Sequence, residues 1–106
     1  MTDISPIEAL SDPTRRRFFE WLRDRPCSVS ELVQVVPVSQ PAVSQHLRVL
    51  RQAHLVQVRK QGQQRIYSID PQGLAELRDY IESFWDTILD AFQEAAEKSA
   101  KEETDQ

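Results

Sequence analysis

The chain of 106 residues has one cysteine, two glycines and no long hydrophobic run. The single cysteine, Cys27, excludes an internal disulfide and fits a reducing cytoplasm. No stretch is long and apolar enough to span a membrane, and the opening M-T-D-I-S-P-I-E lacks the basic and apolar regions of a signal peptide. So few glycines favour helices over tight turns. We therefore expect one mainly helical, cytoplasmic domain without a membrane partner.

Acidic residues are missing from the middle of a chain whose net charge is −4. No Asp or Glu occurs between Glu31 and Asp70. Residues 15–65 hold ten Lys and Arg against three Asp and Glu, whereas residues 66–106 hold three against eleven. A basic block inside an acidic chain is typical of a site for a polyanion such as DNA. The alternative is a solvated surface on which charges cluster by chance.

The stretch Ser39–Arg51, S-Q-P-A-V-S-Q-H-L-R-V-L-R, predicts an amphipathic helix with Ser39 as its N-cap. Val43, Leu47 and Leu50 share the apolar side. The outer side, which includes Arg51, carries amide and guanidinium groups that can pair with base edges or hold phosphates. The predicted DNA contacts on this recognition helix are Ser39, Gln40, Ser44, Gln45, His46 and Arg48. For His46 a partly buried structural role is the alternative.

Caps and prolines divide the residues before this helix. Asp12-Pro13 is an N-cap followed by proline, and S-x-x-E from Ser28 to Glu31 is a capping box. The predicted helices are a short one carrying Ile4, Ile7 and Leu10, a second from Pro13 to about Arg25, and a third from Ser28 to about Val36. Pro37 stops the third helix, and the short connection to Ser39 matches a helix-turn-helix.

Three arginines, Arg15, Arg16 and Arg17, occupy the first turns of the second predicted helix. A cation at a helix N-terminus opposes the helix dipole, so another interaction must favour these residues there. Contact with a DNA phosphate and interaction with acidic groups of the protein itself are both open.

Alternating apolar and polar residues after Ala53 predict a β-hairpin. Its strands are Leu55–Lys60 and Arg65–Ile69, with Gly62 at the tip of the turn. A hairpin after a recognition helix is typical of the wing of a winged helix, whose tip lies along the DNA backbone or in a minor groove. The predicted DNA contacts in the wing are Arg59, Lys60, Gln63 and Arg65. The alternative is a solvated hairpin whose polar residues protect a sheet edge.

A long helix is predicted from Pro71 to about Glu97, followed by a frayed, charged tail over Lys98–Gln106. It carries two neighbouring apolar stripes, and packing on its own domain needs only one. The second stripe predicts contact with the same helix of a second subunit. The predicted dimer interface comprises Ile4, Ile7, Ile81, Phe84, Trp85, Ile88 and Phe92. The alternative is one broad stripe facing the core.

Four segments resemble the ArsR/SmtB family of winged-helix repressors. They are A-L-S-D-P-T-R-R-R at Ala9–Arg17, V-S-Q-H-L-R-V-L-R at Val43–Arg51, L-V at Leu55–Val56, and R-I-Y-S-I-D-P at Arg65–Pro71. The family phrase S-x-H-L-x-x-L falls in the recognition helix and is filled here by Ser44, His46, Leu47 and Leu50. The resemblance covers roughly residues 5–95. It implies a homodimer with terminal helices at the interface, bound to a pseudo-palindromic operator, usually as a repressor.

The chain departs from the family's sensor motifs. Where arsenic and cadmium sensors have two cysteines before the recognition helix, this chain has Val33 and Val35. The last helix lacks the histidines of zinc and nickel sensors, and persulfide sensors need a second cysteine. We therefore expect no metal site and no cofactor. The family's usual glycine before the wing is His54 here, which a left-handed conformation would strain mildly.

Our prediction is a mainly α (α+β) winged helix-turn-helix with a two-stranded hairpin wing and N- and C-terminal dimerisation helices, forming one domain over residues 1–97. The function predicted is that of a homodimeric, sequence-specific DNA-binding regulator. No nucleophile–base pair or phosphate loop indicates an enzyme. Two other functions stay open: a protein-interaction module, and a sensor with an apolar effector pocket lined by Trp21, Phe84, Trp85 and Phe92. Oxidation of Cys27, or its pairing between subunits, is a minor alternative.

Overall fold

Helices alternate with short strands in the computed structural model, which describes residues 3–104. The elements are α1 (Pro6–Ala9), α2 (Pro13–Asp24), β1 (Cys27–Ser28), α3 (Val29–Val33), α4 (Gln40–Gln52), β2 (Val56–Gln61), β3 (Gln64–Ile69) and α5 (Pro71–Thr104). Asp12, Ser28 and Ser39 cap α2, α3 and α4: each side-chain oxygen accepts a hydrogen bond from the backbone N–H three residues on. The predicted capping box of Ser28 and Glu31 is complete.

The core lies where α2, α3 and α4 meet the sheet. The apolar side of α4 faces it, since Val43, Leu47 and Leu50 are fully buried. Phe18 of α2 and Leu32 of α3 pack into the same cluster. Burying a side chain of this size contributes about 1.5–3 kcal/mol, so this cluster holds α4 in a fixed orientation with its polar side outward.

The predicted two-stranded hairpin is confirmed, and a third strand that was not predicted extends its sheet. Its order is β1-β3-β2, with both pairs antiparallel. The additional strand β1 pairs Cys27 with Tyr67 and Ser28 with Ile66. Two residues are too few to show an alternating pattern, which is why the sequence did not reveal this strand. Strand β1 ties the α2–α3 connection to the base of the wing.

Two helices end elsewhere than predicted. Helix α3 ends at Val33 instead of about Val36, because the backbone tightens: the Gln34 N–H bonds to the Glu31 carbonyl, three residues back. Pro37 disfavours helical geometry at the residue before it. Helix α5 continues past Glu97 to Thr104, through alanine, lysine and glutamate, which are good helix formers. Residues 105–106 of the predicted tail lie outside the described residues.

His54 connects α4 to the wing in the left-handed region, with φ of 57°. The conformation anticipated at this position is therefore present. It lets the His54 carbonyl accept a hydrogen bond of 2.7 Å from the Gly73 N–H of α5. Gly73 is required there, since a Cβ would lie 2.5 Å from the same carbonyl oxygen. This contact sets the direction in which α5 leaves the domain.

Helix α5 extends well beyond the domain from which it starts. Its 34 residues span about 50 Å at 1.5 Å per residue, and the longest dimension of the molecule is 74 Å. Its first turns contact α1, whereas every side chain described from Arg78 onward is exposed. The apolar side chains of α5 beyond Arg78 are thus not covered by the rest of the single chain.

Candidate nucleic-acid interface

The polar side of α4 is open to solvent along the whole helix. It carries hydroxyl, amide and guanidinium groups and no carboxylate. The exposed members are Gln40, Ser44, Gln45, Arg48 and Arg51. The N-cap Ser39 is also exposed, but its oxygen accepts a hydrogen bond of 3.3 Å from the Ala42 N–H, so it also helps to start the helix. This side offers donors and acceptors suited to base edges and phosphates.

His46 is placed differently from the other candidates on α4. Its ring is half-buried, and Nδ1 lies 3.5 Å from an Asp12 carboxylate oxygen. Nδ1 is fully buried and has no hydrogen-bond partner among residues 3–104, so its approach to Asp12 is a close contact and not a hydrogen bond. The ring centroid lies 6.0 Å from that of Phe18. The Nδ1 edge of His46 therefore faces α2, as the structural role left open by the sequence requires.

The wing presents basic side chains at its far end. Arg59, Lys60, Gln63 and Arg65 are all exposed. Lys60 lies directly opposite Arg65 across the hairpin. Like charges facing each other on one side of a hairpin destabilise it, and the wing holds no acidic residue. An anion at this end would compensate the repulsion.

A cleft of about 350 Å³ lies between α4 and β3, and we call it the α4–β3 cleft. Its lining is Val29, Ser44, Arg48, Arg51, Arg65 and Tyr67. It brings together predicted residues of the recognition helix and of the wing. Tyr67 was not among the predicted contacts; its place in a strand was clear from the alternation, but its neighbours on α4 were not.

The three arginines at the start of α2 separate into two kinds. Nε of Arg15 donates a hydrogen bond of 2.7 Å to the Ala9 carbonyl, and Nη1 lies 3.7 Å from the Asp12 carboxylate. Arg15 therefore holds α1 against α2, which is the internal interaction considered for it. Arg16 and Arg17 are exposed.

The residues predicted for a dimer interface mostly face solvent in the single chain. Ile4 is the exception, since it is half-buried against the core. The others are large, apolar and 45–74% exposed: Ile7, Ile81, Phe84, Trp85, Ile88 and Phe92. An apolar surface of this extent is characteristic of an interaction site.

Trp21 lies apart from the aromatic residues of α5. It is on the rim of a surface cleft formed by α2 and the segment after α3, with Arg17 and Val35 among its neighbours. No α5 residue lines that cleft. This cleft therefore does not bring Trp21 together with Phe84, Trp85 and Phe92, the other residues considered for an apolar effector pocket.

No three His, Cys, Asp or Glu side chains within residues 3–104 are grouped closely enough to hold a metal ion. Cys27 is fully buried, with Sγ 3.5 Å from the Arg25 carbonyl. Burial, and secondly the nearby Glu31 carboxylate, raises the pKa of the Cys27 thiol. Over the same residues, the search for a helix long and apolar enough to cross a membrane found none.

Comparison with known proteins places this geometry in a family. The model of the bacterial regulatory protein arsR family matches residues 12–58, which span α2 to the first half of β2. The chain is 48% identical over 85 residues to the HTH-type transcriptional regulator Rv2034 of Mycobacterium tuberculosis, covering 80% of this chain and 79% of that protein. It is 29% identical to the transcriptional repressor SdpR of Bacillus subtilis, over 74% of this chain and 87% of the relative.

A solved structure gives the same assignment. The crystal structure of a possible transcriptional regulator for arsenical resistance superposes with a TM-score of 0.71 at 46% identity, covering 77% of this chain and 85% of the other. These relatives are regulators, not enzymes. With its helix-turn-helix, wing and terminal helices in place, the chain belongs to the ArsR/SmtB family of winged-helix transcriptional regulators.

Proposed function

We propose that this protein is a homodimeric repressor that binds an inverted-repeat operator without a metal ion. The observation that carries the proposal is the exposed, carboxylate-free side of α4 beside a basic wing. Each subunit inserts α4 into a major groove, the two grooves lying about one helical turn apart on one face of the duplex. Because the thiol of Cys27 is free, the proposal places the protein in a reducing cytoplasm.

The proposed contacts divide by chemistry. Gln40 and Gln45 in the first half of α4 read base edges, since amide groups pair bidentately with adenine. Arg59, Lys60, Gln63 and Arg65 in the wing hold the backbone and carry no sequence information. The repressor role is supported by the likeness to SdpR, whose name states that role.

Dimerisation is supported by the apolar surface of α5. Phe84, Trp85, Ile88 and Phe92 are each about half exposed or more, and exposing them to water is unfavourable. A two-fold partner that brings a second α5 against the first removes this surface from water on both subunits. The same symmetry matches the two halves of an inverted repeat.

The test is fluorescence anisotropy of the purified protein on DNA from upstream of its own gene, against a scrambled duplex, in EDTA and at two salt concentrations. We expect selective binding that weakens steeply with salt, because each neutralised phosphate contributes a slope of about −0.9. Gln45→Ala should reduce discrimination between the duplexes by about 1–3 kcal/mol. Arg59→Ala should weaken both duplexes alike.

Gln93→Ala on α5 is the matched control for Gln45, because it removes the same amide at a site remote from α4 and should leave binding unchanged. Equal and weak affinity for both duplexes in the wild type would contradict the proposal. It would favour the protein-interaction function, with the acidic α5 as the working surface.

A further inference from the structure

The α4–β3 cleft has an unusual chemical lining. Three of its six residues are arginines, two carry hydroxyls and one is apolar, and none is acidic. Arg48 and Arg51 come from one side of α4, three residues apart, and Arg65 and Tyr67 from one side of β3, two residues apart. The fold therefore brings three guanidinium groups from two elements to one opening.

These three guanidinium groups are unpaired within residues 3–104. Arg48, Arg51 and Arg65 form no side-chain hydrogen bond or ion pair with any described residue, in contrast to Arg15 with Asp12 and Arg78 with Glu82. The mutual repulsion of three cations around one opening is uncompensated by the protein itself. An anion bound in the cleft would compensate it.

Tyr67 adds a directional group to this charge. Its side chain is only 8% exposed, fixed between Cys27 of β1 and Val58 of β2. Its hydroxyl has no hydrogen-bond partner among the described residues. A buried ring that holds a donor at a basic cleft can recognise an oxyanion at little entropic cost, since the ring is already immobile.

We propose that the α4–β3 cleft is a phosphate clamp for the DNA backbone, in which Arg48, Arg51 and Arg65 neutralise a phosphodiester group and Tyr67 donates a hydrogen bond to it. The inference rests on the proposed DNA binding and assigns particular residues to one ligand group. The volume of about 350 Å³ exceeds by roughly tenfold the ~30 Å³ share of one water in the liquid, which is enough for this group with its hydration.

Position on the helix favours a phosphate over a base. In helix-turn-helix proteins the N-terminal residues of the recognition helix reach the base edges, whereas Arg48 and Arg51 lie in the C-terminal half of Gln40–Gln52. A guanine edge takes one arginine bidentately; several arginines and a hydroxyl around one site match the oxygens of a phosphate. Arg48, one of the predicted DNA contacts of α4, is thereby assigned to a backbone phosphate, together with Arg51 and Tyr67.

The first test measures the salt dependence of operator binding for three variants. Arg51→Ala should make the negative slope of log affinity against log salt less steep by about 1. Discrimination against scrambled DNA should stay unchanged. Tyr67→Phe should weaken binding roughly tenfold at every salt concentration and leave the slope intact, because it removes a hydrogen bond to a charged group but no charge. Arg78→Ala on α5, which removes an arginine outside the cleft, should change neither.

The second test asks whether these residues share one phosphate. The operator is made with a neutral methylphosphonate at each backbone position in turn. At one position per half-site this modification should weaken binding of the wild type. The same modification should weaken binding of Arg51→Ala and Tyr67→Phe by less than it weakens binding of the wild type. Likewise the Arg51→Ala and Tyr67→Phe effects should be non-additive, whereas Arg51→Ala and Lys60→Ala should add. Additive effects at all pairs, or lost discrimination in Arg51→Ala, would overturn the clamp while leaving DNA binding in place.

A third measurement separates this failure from failure of the proposed function. Inorganic phosphate is titrated into the full-length protein, and the arginine Nε–Hε and Tyr67 ring resonances are followed by NMR. Saturable shifts of Arg51 and Tyr67 together, absent in Arg51→Ala, would support the clamp even if no operator were bound. Uniform shifts that follow ionic strength alone would reject it.

Discussion

His54 adopts the left-handed conformation, which raises the free energy of the folded protein at a single residue. Its φ of 57° allows the turn from α4 into the wing, and a side chain in that region is unfavourable by about 1–2 kcal/mol. Its Nε2 lies 3.7 Å from an Asp3 carboxylate oxygen, and the Asp3 side chain is 85% exposed, so this contact contributes little. The residue thus supports the geometry of the connection more than its stability.

We expect His54→Gly to raise the free energy of unfolding by up to about 1 kcal/mol, because glycine adopts positive φ without strain, partly offset by its greater freedom in the unfolded chain. Thermal or urea unfolding at fixed protein concentration measures the change. Unchanged or lower stability would show that the imidazole makes a contact worth more than the strain.

The opposite substitution nearby serves as the control. Helix propensity alone predicts that Gly73→Ala would stabilise α5 by about 1 kcal/mol. We expect destabilisation instead, since the added Cβ would lie 2.5 Å from the His54 carbonyl oxygen and displace the 2.7 Å hydrogen bond there. A stabilised Gly73→Ala variant would mean that α5 leaves the domain in a different direction.

Cys27 gives a prediction about pH. Because its pKa is raised in the folded protein, the native thiol keeps its proton at pH values where the unfolded chain releases it. Stability should therefore fall as pH rises above about 8.5, by at most about 1.4 kcal/mol per pH unit. Cys27→Val, of similar volume, should flatten this dependence in unfolding curves recorded from pH 7.5 to 9.5. Rapid alkylation of the native thiol at neutral pH would contradict the prediction and revive a redox role.

At the scale of elements, α5 is the part of the chain that a single subunit explains least. Phe92 is 74% exposed, so replacing it cannot disturb the core of the subunit. We expect Phe92→Glu to convert the proposed dimer into a monomer, because a charge would be buried without a partner at the proposed interface. Gln93→Glu, which adds the same charge one residue further on, should leave the dimer intact. Light scattering after gel filtration distinguishes the two masses.

Helix starts were predictable because their causes are local. Asp12, Ser28 and Ser39 each cap a helix by accepting a hydrogen bond from a backbone N–H three residues away. Cap and proline preferences depend on only a few neighbouring residues, so the local sequence reveals them. Strand β1 was not predictable, since its two residues are a strand only because Tyr67 and Ile66 lie beside them. The end of α5 was misplaced because charged residues such as Lys98 and Glu102 continue a helix as readily as they form a loop.

The same division applies to the candidate site. The exposed side of α4 followed from periodicity, since burying Val43 and Leu47 obliges Gln40, Ser44 and Arg48 to face outward. The Nδ1 contact of His46 with Asp12 and the grouping of Arg51 with Tyr67 join residues distant in the chain. Such pairs depend on how α2, α4 and β3 pack, which no local pattern contains.

The whole molecule is long, and its charge is sorted along that length. The block over residues 15–65 carries a net charge of +7 from ten basic and three acidic residues. Helix α5 alone holds nine acidic residues against three basic ones. The net charge of −4 therefore represents neither the basic block nor the acidic helix. Taken alone it disfavours DNA binding, whereas the distribution of charge along the chain favours it.

The length of α5, about 50 Å, separates the acidic from the basic residues and thereby affects how the protein approaches DNA. Because the basic residues of α4 and the wing and the acidic residues of α5 are separated in space, each subunit has a large electric dipole moment, and the field of a duplex exerts a torque on it. The torque turns α4 and the wing towards the duplex and α5 away from it before any contact is made. A larger fraction of encounters then has the orientation that binding requires. Since salt shortens the reach of that field to about 8–10 Å, raising the ionic strength should slow the association of protein and DNA as well as weaken their complex.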